Sequence, residues 1–318
     1  MNSKNILGAL AAGTLLVSCP LEILAPKHAA AKPTQGCSEF VSSVKPLKVG
    51  FKWTEGPAWD PKNNRWIFSD LMGKTEYGIS PDGKLTKLRE AGYPNGHALL
   101  PSGQFVVAQH DRTLGTVNAD GSGYKVIATT FGGKKLNSPN DVVVSKNGDI
   151  YFTDPTFGLE GYGPVEAKPD LNYKGIYRLS KGKLDLINKQ LAIPNGIGIS
   201  PDNKTLYISD TSNNKIYSID LGRYQGKPVN AKELASFTQI KGGHIAANAS
   251  DGLKVDSKGN IWATGPGGIA VFNSKGQELC GVPFHDHVAN LAPGGRGNNE
   301  ILVTSASAVY LMTLKNTF

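Results

Sequence analysis

The chain has 318 residues, enough to bury a large core, and its 38 glycines and 19 prolines against only 19% charged residues favour many tight turns over long charged helices. Lysine and arginine number 34 against 26 acidic residues, a net charge of +8. The basic residues are scattered through turns, Lys134-Lys135 being among the few adjacent pairs, which excludes the concentrated patch that nucleic-acid or membrane binding requires.

Residues 1–36 read as a leader outside the fold. Lys4 precedes an apolar run over residues 6–17, of signal-peptide length and too short to span a bilayer. Leu16-Val17-Ser18-Cys19 has the form of a lipobox, in which Cys19 would be acylated and become the mature N-terminus; Ala29-Ala30-Ala31 offers an ordinary cleavage site instead. Both readings predict export from a bacterial cytoplasm, to the periplasm or to a lipid-anchored position at the envelope, and an uncleaved anchor is the alternative. Setting Cys19 aside, Cys37 and Cys280 remain, an even number suited to an oxidising compartment. A disulfide between them and two separate thiols both stay open.

Residues 37–318 form the second unit. Within it one module recurs, anchored at Glu55, Asn95, Asn140, Asn195, Asp251 and Asn290, with separations of 40, 45, 55, 56 and 39 residues. Each anchor opens a short strand, then a Gly/Asn/Asp-rich turn, then an alternating strand such as Trp66-Ile67-Phe68 or Ile150-Tyr151-Phe152. Second strands end 13 to 15 residues after each anchor, at Asp70, His110, Asp154, Asp210, Thr264 and Ser305. Third strands follow in several copies. Four antiparallel strands repeated six times predict an all-β, six-bladed β-propeller. The last copy runs out of chain before its outer strand, so residues 39–49 are expected to close the ring by pairing with the last blade and to hide its edge. Longer insertions are expected at residues 157–173, as a lid over the mouth, and at residues 223–248.

In a four-stranded meander the start of the first strand and the end of the second lie at one edge of the sheet. The six anchors should therefore converge on the channel mouth. Glu55, Asn140, Asn195 and Asp251 would contribute two carboxylates and two amide oxygens, a hard donor set suited to Ca²⁺ or Mg²⁺ rather than to copper or a structural zinc. Four protein ligands would leave positions open for water and substrate. Asn95 and Asn290 complete the ring as substrate contacts. Of the strand-end residues, Asp154 and His110 are expected to touch substrate, and Asp70 and Asp210 to bond their own loops. His244 could reach the mouth, whereas His285 and His287 read as a structural pair. No nucleophile elbow, HExxH, EF-hand loop or phosphate-binding glycine loop occurs.

Glu55-Gly56-Pro57-Ala58-Trp59, Ser138-Pro139-Asn140-Asp141, Phe152-Thr153-Asp154-Pro155, Pro194-Asn195-Gly196-Ile197 and Ser250-Asp251-Gly252 resemble the gluconolactonase / senescence marker protein (regucalcin) family, and within it the bacterial gluconolactonases. The resemblance spans about residues 48–314. It implies one catalytic divalent cation, most often calcium or zinc with magnesium as a further candidate, in the channel of an enzyme that opens sugar-type lactones. By position Glu55, Asn140, Asn195 and Asp251 match the family's metal ligands, and Asn95, His110 and Asp154 match polar pocket positions. The regucalcin branch carries an Arg two residues before the third-blade Asn; Ser138 stands there in this chain.

The expected chemistry is attack of metal-activated water, with Asp251 as base or, alternatively, as nucleophile, and with His110 or solvent protonating the departing alkoxide. Two other classes compete. One is a non-catalytic exported propeller that binds a ligand or protein around a structural ion. The other is a phosphotriesterase or fluorophosphatase acting through the same site.

Overall fold

The computed structural model describes residues 37–164, 166–243 and 249–318. The leader with Cys19, and His244, lie outside them. Consecutive strands form six four-stranded antiparallel sheets. Their innermost strands are Thr54–Asp60, Pro94–Leu99, Val142–Val144, Pro194–Ile199, Leu253–Val255 and Val288–Gly294, and they touch one another in a closed cycle. The predicted six-bladed propeller is thus the fold. Its last sheet is completed by Val41–Val49, antiparallel to Ala308–Leu314, as the missing outer strand required.

Local sequence explains why each blade starts as a hairpin. Just before every second strand the backbone turns left-handed, at Asn64, Gly103, Gly148, Asn203, Gly259 and Asn298. Gly enters that region without strain and Asn more easily than most residues. Strand alternation then builds the cores. Trp66 and Phe68 face blade six while Ile67 faces blade two, and Tyr151 faces blade four while its neighbours Ile150 and Phe152 face blade two. Each interior blade is buried on both faces, so six apolar clusters lie between adjacent blades rather than in one central core.

Cys37 and Cys280 form a disulfide, with Cα atoms 5.1 Å apart. Cys37 sits in the 3-10 turn Cys37–Glu39 before the closing strand, and Cys280 in the outer strand Glu278–Pro283 of blade five. The bond therefore clips the start of the closing strand to the neighbouring blade. The insertion at residues 157–173 lies between the second and third strands of blade three, as expected. Residues 223–248 are not a simple insertion, because Lys232–Ser236 within them is the outer strand of blade four.

Candidate functional site

At the channel mouth the glycine after an anchor is set by close packing, and at Gly56 by a left-handed φ of 44° as well. A Cβ on Gly56 would fall 2.1 Å from the Asn95 carbonyl oxygen, and one on Gly196 would fall 2.3 Å from that of Asp251. Glycine lets adjacent inner strands meet there, and Gly96 and Gly196 donate their N–H groups to Asn140 O and Asp251 O at 2.9 and 3.1 Å. Second-strand hydroxyls hold the same carbonyls: Ser69 donates to Asn95 O at 2.8 Å, Thr153 to Asn195 O at 2.7 Å, and Ser209 to Asp251 O. The backbones of Asn95, Asn140, Asn195 and Asp251 are thereby fixed by the preceding blade.

These contacts converge the anchors on a cavity of about 230 Å³ lined by Glu55, Asn95, His110, Asn140, Asn195 and Asp251, six of the eight residues singled out from the sequence. The rear of every expected ligand is fixed. Glu55 accepts from Trp53 Nε1 at 3.3 Å and from its neighbour Gly56 N at 3.2 Å. Asn195 Nδ2 donates to Thr211 Oγ1 at 3.0 Å, and Asp251 Oδ2 lies 3.2 Å from His287 Nε2. His110 Nδ1 faces the Tyr162 carbonyl at 2.8 Å, an atom that can only accept, so Nδ1 carries the proton. His110 Nε2 then accepts from Asn95 Nδ2 at 3.0 Å and from Asn140 Nδ2 at 3.3 Å. With their nitrogens engaged, Asn140 and Asn195 each keep Oδ1 available as a ligand atom. Outer partners of this kind orient metal ligands.

The electrostatics fit a cation. Burial, and then the charge of Asp251, push Glu55 well above the usual carboxylate range. Asp251 is raised by burial as well, although its hydrogen bond to His287 opposes the rise. A divalent cation between the two would hold both ionised. Among the described residues no group of three or more His, Cys, Asp or Glu side chains is placed to hold a metal. A cation here would take half its protein donors from amide oxygens, which suits a hard ion.

Two expected substrate contacts fall outside the cavity. Asp154 is fully buried, and its Oδ2 accepts from Asn137 N at 2.9 Å. It does what Asp70 does for Trp53 N and Asp210 for Ala192 N, both at 2.9 Å: it bonds the loop entering the inner strand. The reason is register. Pro94 pairs with Gln109, whereas Thr54 pairs with Asp70 and Pro194 with Asp210. Gln109 is therefore the counterpart of the aspartates, and His110 stands one residue further on, level with the cavity-lining Leu71 and Thr211. A one-residue step turns a side chain to the other face of the sheet. Asn290 is also buried away from the cavity, where its Oδ1 accepts from Lys254 Nζ at 3.2 Å beside an ion pair of Lys254 with Asp141 at 3.3 Å.

His287, expected to be structural, lines the cavity, and so do Trp53 and the lid residues Phe157 and Tyr162. Strand-end positions shifted by one residue would have found Leu71 and Thr211. No local signal marks His287, because ring closure brings it beside Trp53, with ring centroids 5.4 Å apart. Ser138, the departure noted in the sequence, donates to Pro155 O at 2.6 Å and accepts from Gly158 N at 3.0 Å, pinning the start of the lid.

Fold and site together define a class, six-bladed propellers whose mouth cavity is built from the starts of their inner strands and carries a hard-oxygen donor set. The chain belongs to the SMP-30/Gluconolactonase/LRE-like family, whose family model matches residues 53–307. It is 32% identical to a gluconolactonase of Zymomonas mobilis over 296 residues, covering 85% of this chain and 81% of that one. It is 28% identical to the lactonase drp35 of Staphylococcus saprophyticus, covering 71% of this chain and 68% of that one. The structure of a gluconolactonase from Xanthomonas campestris superposes with a TM-score of 0.79 at 27% identity, covering 90% of this chain and 95% of that one.

Proposed function

We propose that the protein is a divalent-metal-dependent hydrolase that opens sugar-type lactones. The observation carrying this reading is the convergence of Glu55, Asn140, Asn195 and Asp251 on one cavity, each held from behind by a fixed partner, in a chain similar to gluconolactonases along most of its length. The hard-oxygen set favours Ca²⁺, with Mg²⁺ or Zn²⁺ as the alternatives. A bound cation would supply Lewis-acid polarisation of the lactone carbonyl and a lowered pKa for water. Asp251 accepts the proton of the attacking water, and His287 holds the carboxylate in place from Oδ2. Asn95 and His110 stand where substrate would lie.

His110 is not the acid for the departing alkoxide. Burial pushes its pKa down to about 4, and both ring nitrogens already have partners. It positions Asn95 and Asn140, and solvent supplies the proton. The test is hydrolysis of a lactone panel by the protein as purified, by its chelated form and by Asp251→Asn. Chelation and the substitution should each lower kcat/KM at least about a hundredfold. Retained lactone hydrolysis after both would overturn the mechanism.

Export is proposed on the sequence of residues 1–36, and the Cys37–Cys280 disulfide supports it, since such bonds persist in oxidising compartments. Mass spectrometry of the mature protein distinguishes a start at lipidated Cys19, a start near Lys32 and retention of Met1.

A further inference from the structure

Next to the cavity, a carboxylate that the proposed mechanism does not use lies where the inner strands meet. Asp141 follows the expected ligand Asn140 and is 1% exposed. A Cβ on Gly96 of blade two would fall 2.8 Å from its Oδ1, and its Oδ2 accepts from Ile197 N of blade four and from Lys254 Nζ of blade five, both at 3.3 Å. Lys254 Nζ also donates to Leu253 O at 3.0 Å and to Asn290 Oδ1 of blade six at 3.2 Å. An ammonium has three N–H donors, and here each has an oxygen to meet.

The pair stands close to the expected ligands. Asp141 is one residue from Asn140, and Lys254 three from Asp251. The charge of Asp141 reaches both ligand carboxylates. It adds to the rise that burial and Asp251 impose on Glu55, and to the rise that burial imposes on Asp251 against the hydrogen bond from His287. In a poorly hydrated channel each unit of charge counts for more than in water. Glu55, Asp251 and Asp141 carry three negative charges between them, Lys254 offsets one, and the two that remain equal the charge of a divalent cation.

We infer that Lys254 is a built-in counter-cation which, by offsetting Asp141, fixes the charge of the metal site so that it favours divalent over trivalent ions. Its ammonium cannot ligate a metal, so it acts through Asp141 as a positioning residue. It also keeps Asp141 Oδ2 engaged, and Oδ1 accepts from Val142 N at 2.9 Å, which holds this third carboxylate out of the ligand set. The inference rests on the metal-dependent reading and adds what sets the charge of the ion.

The test measures Ca²⁺ and Tb³⁺ binding to chelator-stripped protein at pH 8, with ion activities set by a chelator buffer. Ca²⁺ is followed by calorimetry, and Tb³⁺ by its emission on excitation of tryptophan, Trp53 being in the cavity lining. Coulomb energy scales with the charge of the ion, so Lys254→Met should tighten Ca²⁺ about tenfold and Tb³⁺ about thirtyfold. Asp141→Asn should weaken both by similar factors, and the double substitution, which restores the formal charge, should return both to within about threefold of wild type. Should Lys254→Met alone fail to fold, the same step taken in the Asp141→Asn background is read instead and should again tighten both ions. Damage to structure weakens binding for either member of the pair and gives no such opposite signs. Weaker Ca²⁺ binding on loss of Lys254, or a Tb³⁺-to-Ca²⁺ affinity ratio constant across the set, would overturn the inference. If the wild type binds neither ion, the metal-dependent reading falls; the inference then stands if loss of Lys254 creates a Ca²⁺ site and falls if it does not.

Discussion

Breaking the Cys37–Cys280 bond is expected to weaken the closure of the ring. The bond joins residues 243 apart in sequence, and loop-closure entropy for a loop of that length corresponds to about 5.5 kcal/mol at 25 °C. Spread over the unfolding entropy of roughly 280 ordered residues, that lowers Tm by about 9 °C. The loss should fall first on Val41–Val49, whose pairing with Ala308–Leu314 is the only sheet contact holding it in the ring, among the described residues. The double substitution Cys37→Ser, Cys280→Ser avoids a lone thiol and is compared with wild type by calorimetry, with and without reductant. Amide exchange of Val41–Val49 should accelerate more than that of Thr54–Asp60, on the opposite side of the joint. A Tm change under about 2 °C, or exchange rising equally in both strands, would refute the view that the bond acts as a clip on the closing strand.

Three further outcomes are expected. Lys254→Met leaves the buried Asp141 carboxylate without its ammonium and should cost about 3–5 kcal/mol in urea unfolding, most of it recovered when Asp141→Asn is added. Burial raises the pKa of Asp154 from 3.8 to about 7, against the opposing Asn137 and Ser138 N–H groups and the charge of Arg112, with Tyr177 the neighbouring neutral group. The folded state therefore binds the extra proton between those values, so this residue's contribution to stability is full below about pH 4 and is lost as pH rises to 7. Asp154→Asn should remove that fall, making the variant more stable than wild type at about pH 8 by up to about 4 kcal/mol and no more stable at about pH 4, measured by urea unfolding. His110→Ala frees the amides of Asn95 and Asn140 and should weaken metal affinity about 10- to 100-fold, read by competition with a chelating dye; unchanged affinity would show that His110 does not orient Asn140.

Much of this architecture was legible because it is written locally and six times over. Asn or Gly before each second strand, alternating apolar residues, and an anchor at the start of each inner strand are short-range signals whose repetition identifies a propeller. The missing outer strand of the last blade was enough to predict the pairing of Val41–Val49. The candidate ligand set followed from the same regularity, since equivalent positions in a ring converge.

The facing of individual side chains was decided otherwise. Counting residues from the anchor put His110 level with Asp70, Asp154 and Asp210, but strand register makes Gln109 their counterpart and turns His110 into the cavity. Alternation has a period of two, so an error of a single residue moves a side chain from scaffold to site. Trp53 and His287 meet over the cavity only because the ring closes. The amino-acid sequence alone therefore determined the repeat, the blades and the candidate ligands. Pairing between strands distant along the chain decided which polar groups face the cavity, because facing depends on register and closure, which no single repeat encodes.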